Sequence, residues 1–106
     1  MPRLTKVATR DFDAALSLDP LQPEAYLNKS VVLHNAGMSS GAVAMATRAL
    51  ELRTGKPALA YFVRGLSHED GGNLRAAYAD LVRARDLDPQ WSEPAEELKR
   101  YRRARR

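Results

Sequence analysis

The chain has no cysteine, only two histidines and a single tryptophan in 106 residues. Without cysteine there are no disulfides and no thiolate zinc sites, though this says nothing about compartment. No apolar run approaches the ~18 residues of a membrane span, so no membrane insertion is expected. Arg3 and Lys6 are followed by no apolar stretch, so no secretory signal is expected, and a soluble, cytoplasmic chain is the expectation. Catalytic vocabulary is equally sparse. His34 and His68 stand 34 residues apart, late on two equivalent segments, with no paired histidines on one helical turn. His68-Glu69-Asp70 could in principle hold a metal, but no ligand motif accompanies it. Ser30, Ser39, Ser40 and Ser67 lack a base and an orienting partner placed by any motif. Gly71-Gly72 reads as a helix stop rather than a phosphate loop. The expectation is a non-enzyme with no metal and no cofactor.

What is present is repetition. Tyr26 and Tyr61 are 35 residues apart, and so are Ser30 and Gly65, Gly37 and Gly72, Ala42 and Ala77, and Ala49 and Ala84. An earlier partial copy, with Ala8, Phe12, Ala15 and Leu18-Asp19-Pro20, matches Ala77, Leu81, Ala84 and Leu87-Asp88-Pro89 at a distance of 69. A fixed period of this size marks an array of helical units. Small residues at Ser30, Gly65, Ala42, Ala49, Ala77 and Ala84 let two helix backbones approach closely. Phe12, Tyr26, Leu33, Tyr61, Leu66, Leu74 and Leu81 are expected to fill the space between helices. Burying each such side chain is worth roughly 1.5–3 kcal/mol. No unit can bury its apolar face alone, so stability must come from stacking.

Punctuation places six helices at about Leu4–Leu18, Pro23–Ala36, Ser40–Arg53, Pro57–Asp70, Leu74–Leu87 and Ser92–Ala104. Pro23 suits a first turn, and Gly37 suits a C-terminal stop. Ser39 or Ser40 and Asn73 are the expected N-caps, and Ser92, followed by Glu93, Pro94 and Glu96, opens the last helix. The short connections make successive helices antiparallel neighbours.

The period and its residues resemble the tetratricopeptide repeat (TPR) family. Tyr26, Ser30, Gly37, Ala42, Ala46, Ala49 and Thr54 fill its slots once, and Tyr61, Gly65, Gly72, Ala77, Leu81, Ala84 and Pro89 fill them again. Thr54 stands where a closing proline is usual, and His68 stands where a large apolar residue is usual. The resemblance implies an all-α fold in which antiparallel helix pairs stack as a short right-handed α-solenoid. Its parts are a half repeat over residues 1–20, repeats over 23–54 and 58–89, and a capping helix with a basic tail over 92–106.

The family lines a concave groove with fixed positions of each first helix. Carried over, these are Glu24, Leu27, Val31, His34 and Asn35, then Leu59, Phe62, Leu66, Glu69 and Asp70, with Asn28 and Val63 beside them. Leu27, Val31, Phe62 and Leu66 form an apolar stripe whose expected role is to bind a peptide or helix of a partner protein. One branch of the family clamps the carboxylate tails of heat-shock chaperones with Lys, Asn and Arg. Tyr26-Leu27-Asn28-Lys29-Ser30 is similar to one of its segments, but Leu59 and Val63 stand where the cations are needed. The alternative to peptide binding is self-assembly through Ala8, Phe12 and Ala15 on the helix that has no pair in this sequence.

The basic balance is local. Lys99, Arg100, Arg102, Arg103, Arg105 and Arg106 carry +6, and the rest of the chain is −2. Cations at a helix C-terminus are favoured by its dipole and keep an end helix solvated. Only Tyr101 interleaves as an aromatic, so nucleic acid is not an expected partner.

Overall fold

A computed structural model describes residue 10 and residues 13–104. All regular structure among them is helical: α1, of which residues 13–18 are described, α2 (Pro23–Asn35), α3 (Ser39–Glu51), α4 (Pro57–Asp70), α5 (Leu74–Leu87) and α6 (Ser92–Ala104). Short connections fold each helix back on the one before it. Thus α2 packs on α3, α3 on α4, α4 on α5 and α5 on α6, and α2 also reaches α4.

The helix ends follow from local chemistry. Proline stands in the first turn of both α2 and α4, where its missing N–H has no intrahelical partner to lose. Asn73 caps α5 by accepting from the Ala76 N–H at 3.3 Å. Three helices close in the same way. At the end of α2, Met38 N–H reaches Leu33 O at 2.9 Å while Gly37 takes φ +77°. At the end of α4, Asn73 N–H reaches His68 O at 2.8 Å while Gly72 takes φ +86°. At the end of α3, Thr54 N–H reaches Ala49 O at 3.0 Å, but the left-handed residue is Arg53, φ 60°. A side chain there is strained where glycine is not.

Two expectations about α3 change. Met38 rather than a serine occupies the cap position, and no side chain caps it. Ser39 and Ser40 are instead the first two residues of the helix. The helix also stops at Glu51, two residues short of Arg53. Thr54 explains the stop: it is buried, its hydroxyl donates to Glu24 at 2.7 Å, and it accepts from the Lys56 N–H at 3.1 Å. A polar turn stapled to α2 replaces the proline.

The small residues do what close packing requires. Ser30, Ala42, Ala46, Ala49, Ala60, Ala77 and Ala84 are fully buried. A Cβ on Gly65 would lie 3.2 Å from Ala77 O, Asp80 Cβ and Leu81 Cγ, so this glycine sets the approach of α4 to α5. Around this framework lie two apolar clusters. One joins Leu27, Ala49 and Ala60, with Tyr26, Leu50 and Leu59 against them. The other joins Phe62, Leu81, Ala84 and Leu98, with Tyr61, Leu66, Val82, Trp91 and Tyr101 against them. Leu74, expected in the core, stands at the first residue of α5 and is 56% exposed. None of the described helices is long and apolar enough to cross a membrane.

Candidate peptide-binding groove

The groove residues divide into three groups. Leu27 and Phe62, the intended floor of an open apolar stripe, are buried at 1% and 8% exposure. Leu27 is held in the cluster with Ala49 and Ala60. Phe62 is held from above by α6: its ring centroid lies 4.7 Å from that of Trp91, tilted by 58°, and Leu98 closes the same cluster. An open stripe would need both side chains at the surface, so this expectation does not hold for them. Val63 beside them is also buried. Val31, Leu59 and Leu66 are half-buried and still present some surface.

The polar positions are partly committed. Glu24 staples the α3–α4 turn, accepting from Thr54 Oγ1 at 2.7 Å and from the Gly55 N–H at 3.1 Å. Glu69 accepts from Arg100 Nη2 at 2.9 and 3.0 Å and from the Tyr101 hydroxyl at 2.9 Å, which ties α4 to α6. These bonds, first to Glu69 and then to Glu97, push the Arg100 guanidinium well above its ordinary pKa. Asn28, Asn35 and Asp70 are exposed. His34 Nδ1 lies 3.3 Å from Ser67 Oγ and 3.5 Å from Asp70 Oδ2. Ser67 is fully buried and gives its proton to Val63 O at 2.8 Å. One imidazole nitrogen therefore faces both groups, and the other is not bridged between them. A proton relay needs the serine on one nitrogen and the carboxylate on the other. Among the described residues no group of three or more His, Cys, Asp or Glu side chains gathers to hold a metal.

Of the self-association residues, Ala15 is half-buried. Ala8 and Phe12 lie outside the described residues. Leu18, the last residue of α1, is 90% exposed, and Leu21 just beyond it is 64% exposed.

An open apolar concavity meets the expected groove at Leu59. It is a cleft of about 540 Å³ lined by Pro57, Ala58 and Leu59 at the start of α4, Leu87 and Asp88 at the end of α5, and Trp91 just before α6, with Gly55 and Lys56 beside them. Only Leu59 of these was expected in the groove. Trp91 carried a readable signal: it is the only tryptophan and follows directly on an Asp-Pro turn. Its partners lie 32 residues upstream at Leu59 and four upstream at Leu87, so their meeting depends on α6 folding back over α4. The chain matches no protein-family model and no curated protein, so neither a family nor an activity reaches it through a relative.

Proposed function

We propose that this chain is a TPR-like α-solenoid module that binds an apolar segment of a partner protein and catalyses no reaction. The observation that carries the reading is the cleft walled by Pro57, Leu59, Leu87 and Trp91. Its aromatic wall is held in place, since Trp91 packs on the buried Phe62. A pre-positioned wall costs little ordering entropy on binding. Lys56 and Asp88 at the margin offer polar contacts to the backbone of an extended segment. This moves the binding centre from Leu27 and Phe62 to Leu59, Leu87 and Trp91. Val31, His34 and Asn35 remain along the groove as secondary contacts.

Because Trp91 is the only tryptophan, its fluorescence reports on the cleft directly. Peptides selected from a displayed random library against the intact chain should shift that emission saturably. Leu87→Glu, at a side chain already 45% exposed, should preserve helicity and weaken the selected peptides by about 10-fold or more. Peptides that bind Leu87→Glu as tightly as the parent chain would remove the cleft from the reading.

A second reading, self-assembly, is favoured by the exposure of Leu18 and Leu21. Light scattering separates the two. A concentration-independent monomer mass supports the free module, and a dimer dissociated by Leu18→Glu supports self-assembly.

A further inference from the structure

The α5–α6 pair leaves a second apolar surface that shares none of its residues with the cleft. On α5, Leu74 is 56% exposed and Tyr78 46% exposed, one helical turn apart. Between α5 and α6 runs a trench of about 210 Å³ lined by Tyr78, Arg85, Ala95, Leu98 and Lys99. The Tyr78 ring, its centroid 5.7 Å from that of Tyr101, links it to a second hollow lined by Leu74, Tyr101, Glu69 and Arg100. Two packed helices with a seam of mixed polar and apolar lining that ends in an apolar hollow offer the kind of groove a third helix fills with side chains at i, i+3 or i+4, and i+7.

Charge decides what kind of helix fits. The trench proper is lined by two cations, Arg85 and Lys99, and by no carboxylate. Their present partners are weak ones. Arg85 meets Asp86 at 3.1 Å and Lys99 meets Glu96 at 3.1 Å, with side chains 45–63% exposed throughout. Ion pairs this exposed contribute little and exchange readily. By contrast, Arg100 is already held by Glu69 and Glu97 and offers less to a newcomer. The segment over residues 4–18 is a poor match by charge: it holds Lys6 and Arg10 against Asp11 and Asp13, with no net charge.

We infer that the α5–α6 trench is a docking site for an amphipathic helix of a partner protein, with an apolar stripe on Leu74 and Tyr78 and acidic flanks on Arg85 and Lys99. The probe is a synthetic helical peptide with leucines at heptad spacing and glutamates flanking them. Its counterpart has lysines in place of the glutamates. Calorimetry with the intact chain should show the glutamate peptide binding with one-to-one stoichiometry and weakening as salt rises. The lysine peptide should bind at least about 10-fold more weakly. Tyr78→Glu should abolish binding, and Arg85→Glu with Lys99→Glu should reverse the preference between the peptides. Both charge sites are on the surface, so that pair keeps the test open if Tyr78→Glu fails to fold. Leu87→Glu, in the separate cleft, should leave binding unchanged. Equal binding of the two peptides, or binding indifferent to Arg85→Glu and Lys99→Glu, overturns the inference. So does sedimentation showing a homodimer that Tyr78→Glu dissociates, since the occupant would then be a second copy of the chain.

Discussion

Arg64 on α4 grips Asp80 on α5 with two bonds, Nε to Oδ2 at 2.8 Å and Nη2 to Oδ1 at 2.8 Å. The remaining amino group donates to Thr47 Oγ1 on α3 at 3.2 Å, so one guanidinium joins three helices. Asp80 is 6% exposed, which for a carboxylate requires such a partner. The hydrogen bonds to Asp80 raise the Arg64 pKa, against the lowering effect of its burial. The pair sits one residue from Gly65, whose missing side chain lets the two helices come close enough for a planar, two-pronged contact.

Removing one partner should therefore cost more than removing both. Arg64→Met leaves the buried Asp80 carboxylate with only His68 Nε2, 3.9 Å away, and should destabilise by about 3 kcal/mol, the low end for a buried pair because Arg64 keeps some solvent contact and the imidazole stays close. Arg64→Met with Asp80→Leu should recover most of that loss. Urea unfolding of the two single variants and the double variant measures the coupling. A double variant no more stable than Arg64→Met alone would show that the pair is not what holds α4 to α5.

Gly65→Leu should destabilise by roughly 1–3 kcal/mol through overpacking against Ala77, Asp80 and Leu81. Gly55, which has no atom within 4 Å of a built Cβ, provides the control, and Gly55→Ala should be far milder. An unfolding midpoint unchanged by Gly65→Leu would contradict the close approach.

Arg53 invites a gain. Its φ of 60° puts a side chain where α2 and α4 place glycine. A left-handed L-residue costs about 1–2 kcal/mol, and the added unfolded-state freedom of glycine returns about 0.5–1 kcal/mol of that. Arg53→Gly should stabilise by up to about 1 kcal/mol and raise the thermal midpoint. Gly37→Ala and Gly72→Ala should move it the other way, as both hold positive φ.

Tyr101 supplies a pH dependence. Burial first, and then its hydrogen bond to Glu69, push its hydroxyl up to about 12 from the ordinary 10.0. The protonated form is thus favoured in the folded state. Its contribution to stability is complete below pH 10 and is lost as pH rises toward 12. Spectrophotometric titration should find Tyr101 ionising above the normal tyrosine range, and Glu69→Gln should bring it back toward that range. A Tyr101 titration already normal in the parent chain would mean that the Glu69 bond does not persist in solution.

The helices were legible because their ends are written locally. Pro57, Gly71-Gly72, Asn73 and Ser92 mark α4, α5 and α6 at the bounds observed. The buried small residues were legible too, since only small side chains permit close backbones, and Ala42, Ala49, Ala77 and Ala84 show no surface. The end of α3 was misread because Thr54 acts through Glu24, 30 residues away, and no local signal carries that bond.

Sequence by itself thus determined an all-helical chain of repeating close contacts, because capping, turn chemistry and side-chain size act within a few residues. Which apolar residues face solvent was decided only in three dimensions. Leu27 and Leu74 are both leucines on amphipathic helices, yet one is buried and the other is 56% exposed. Phe62 is buried because Trp91, just before α6, and Leu98 on α6 pack against it. Glu69 is a free carboxylate in sequence and a ligand of Arg100 and Tyr101 once folded. The physical reason is common to all three: exposure belongs to a side chain and whatever element packs on it, and α6 reaches α4 only through the tertiary fold.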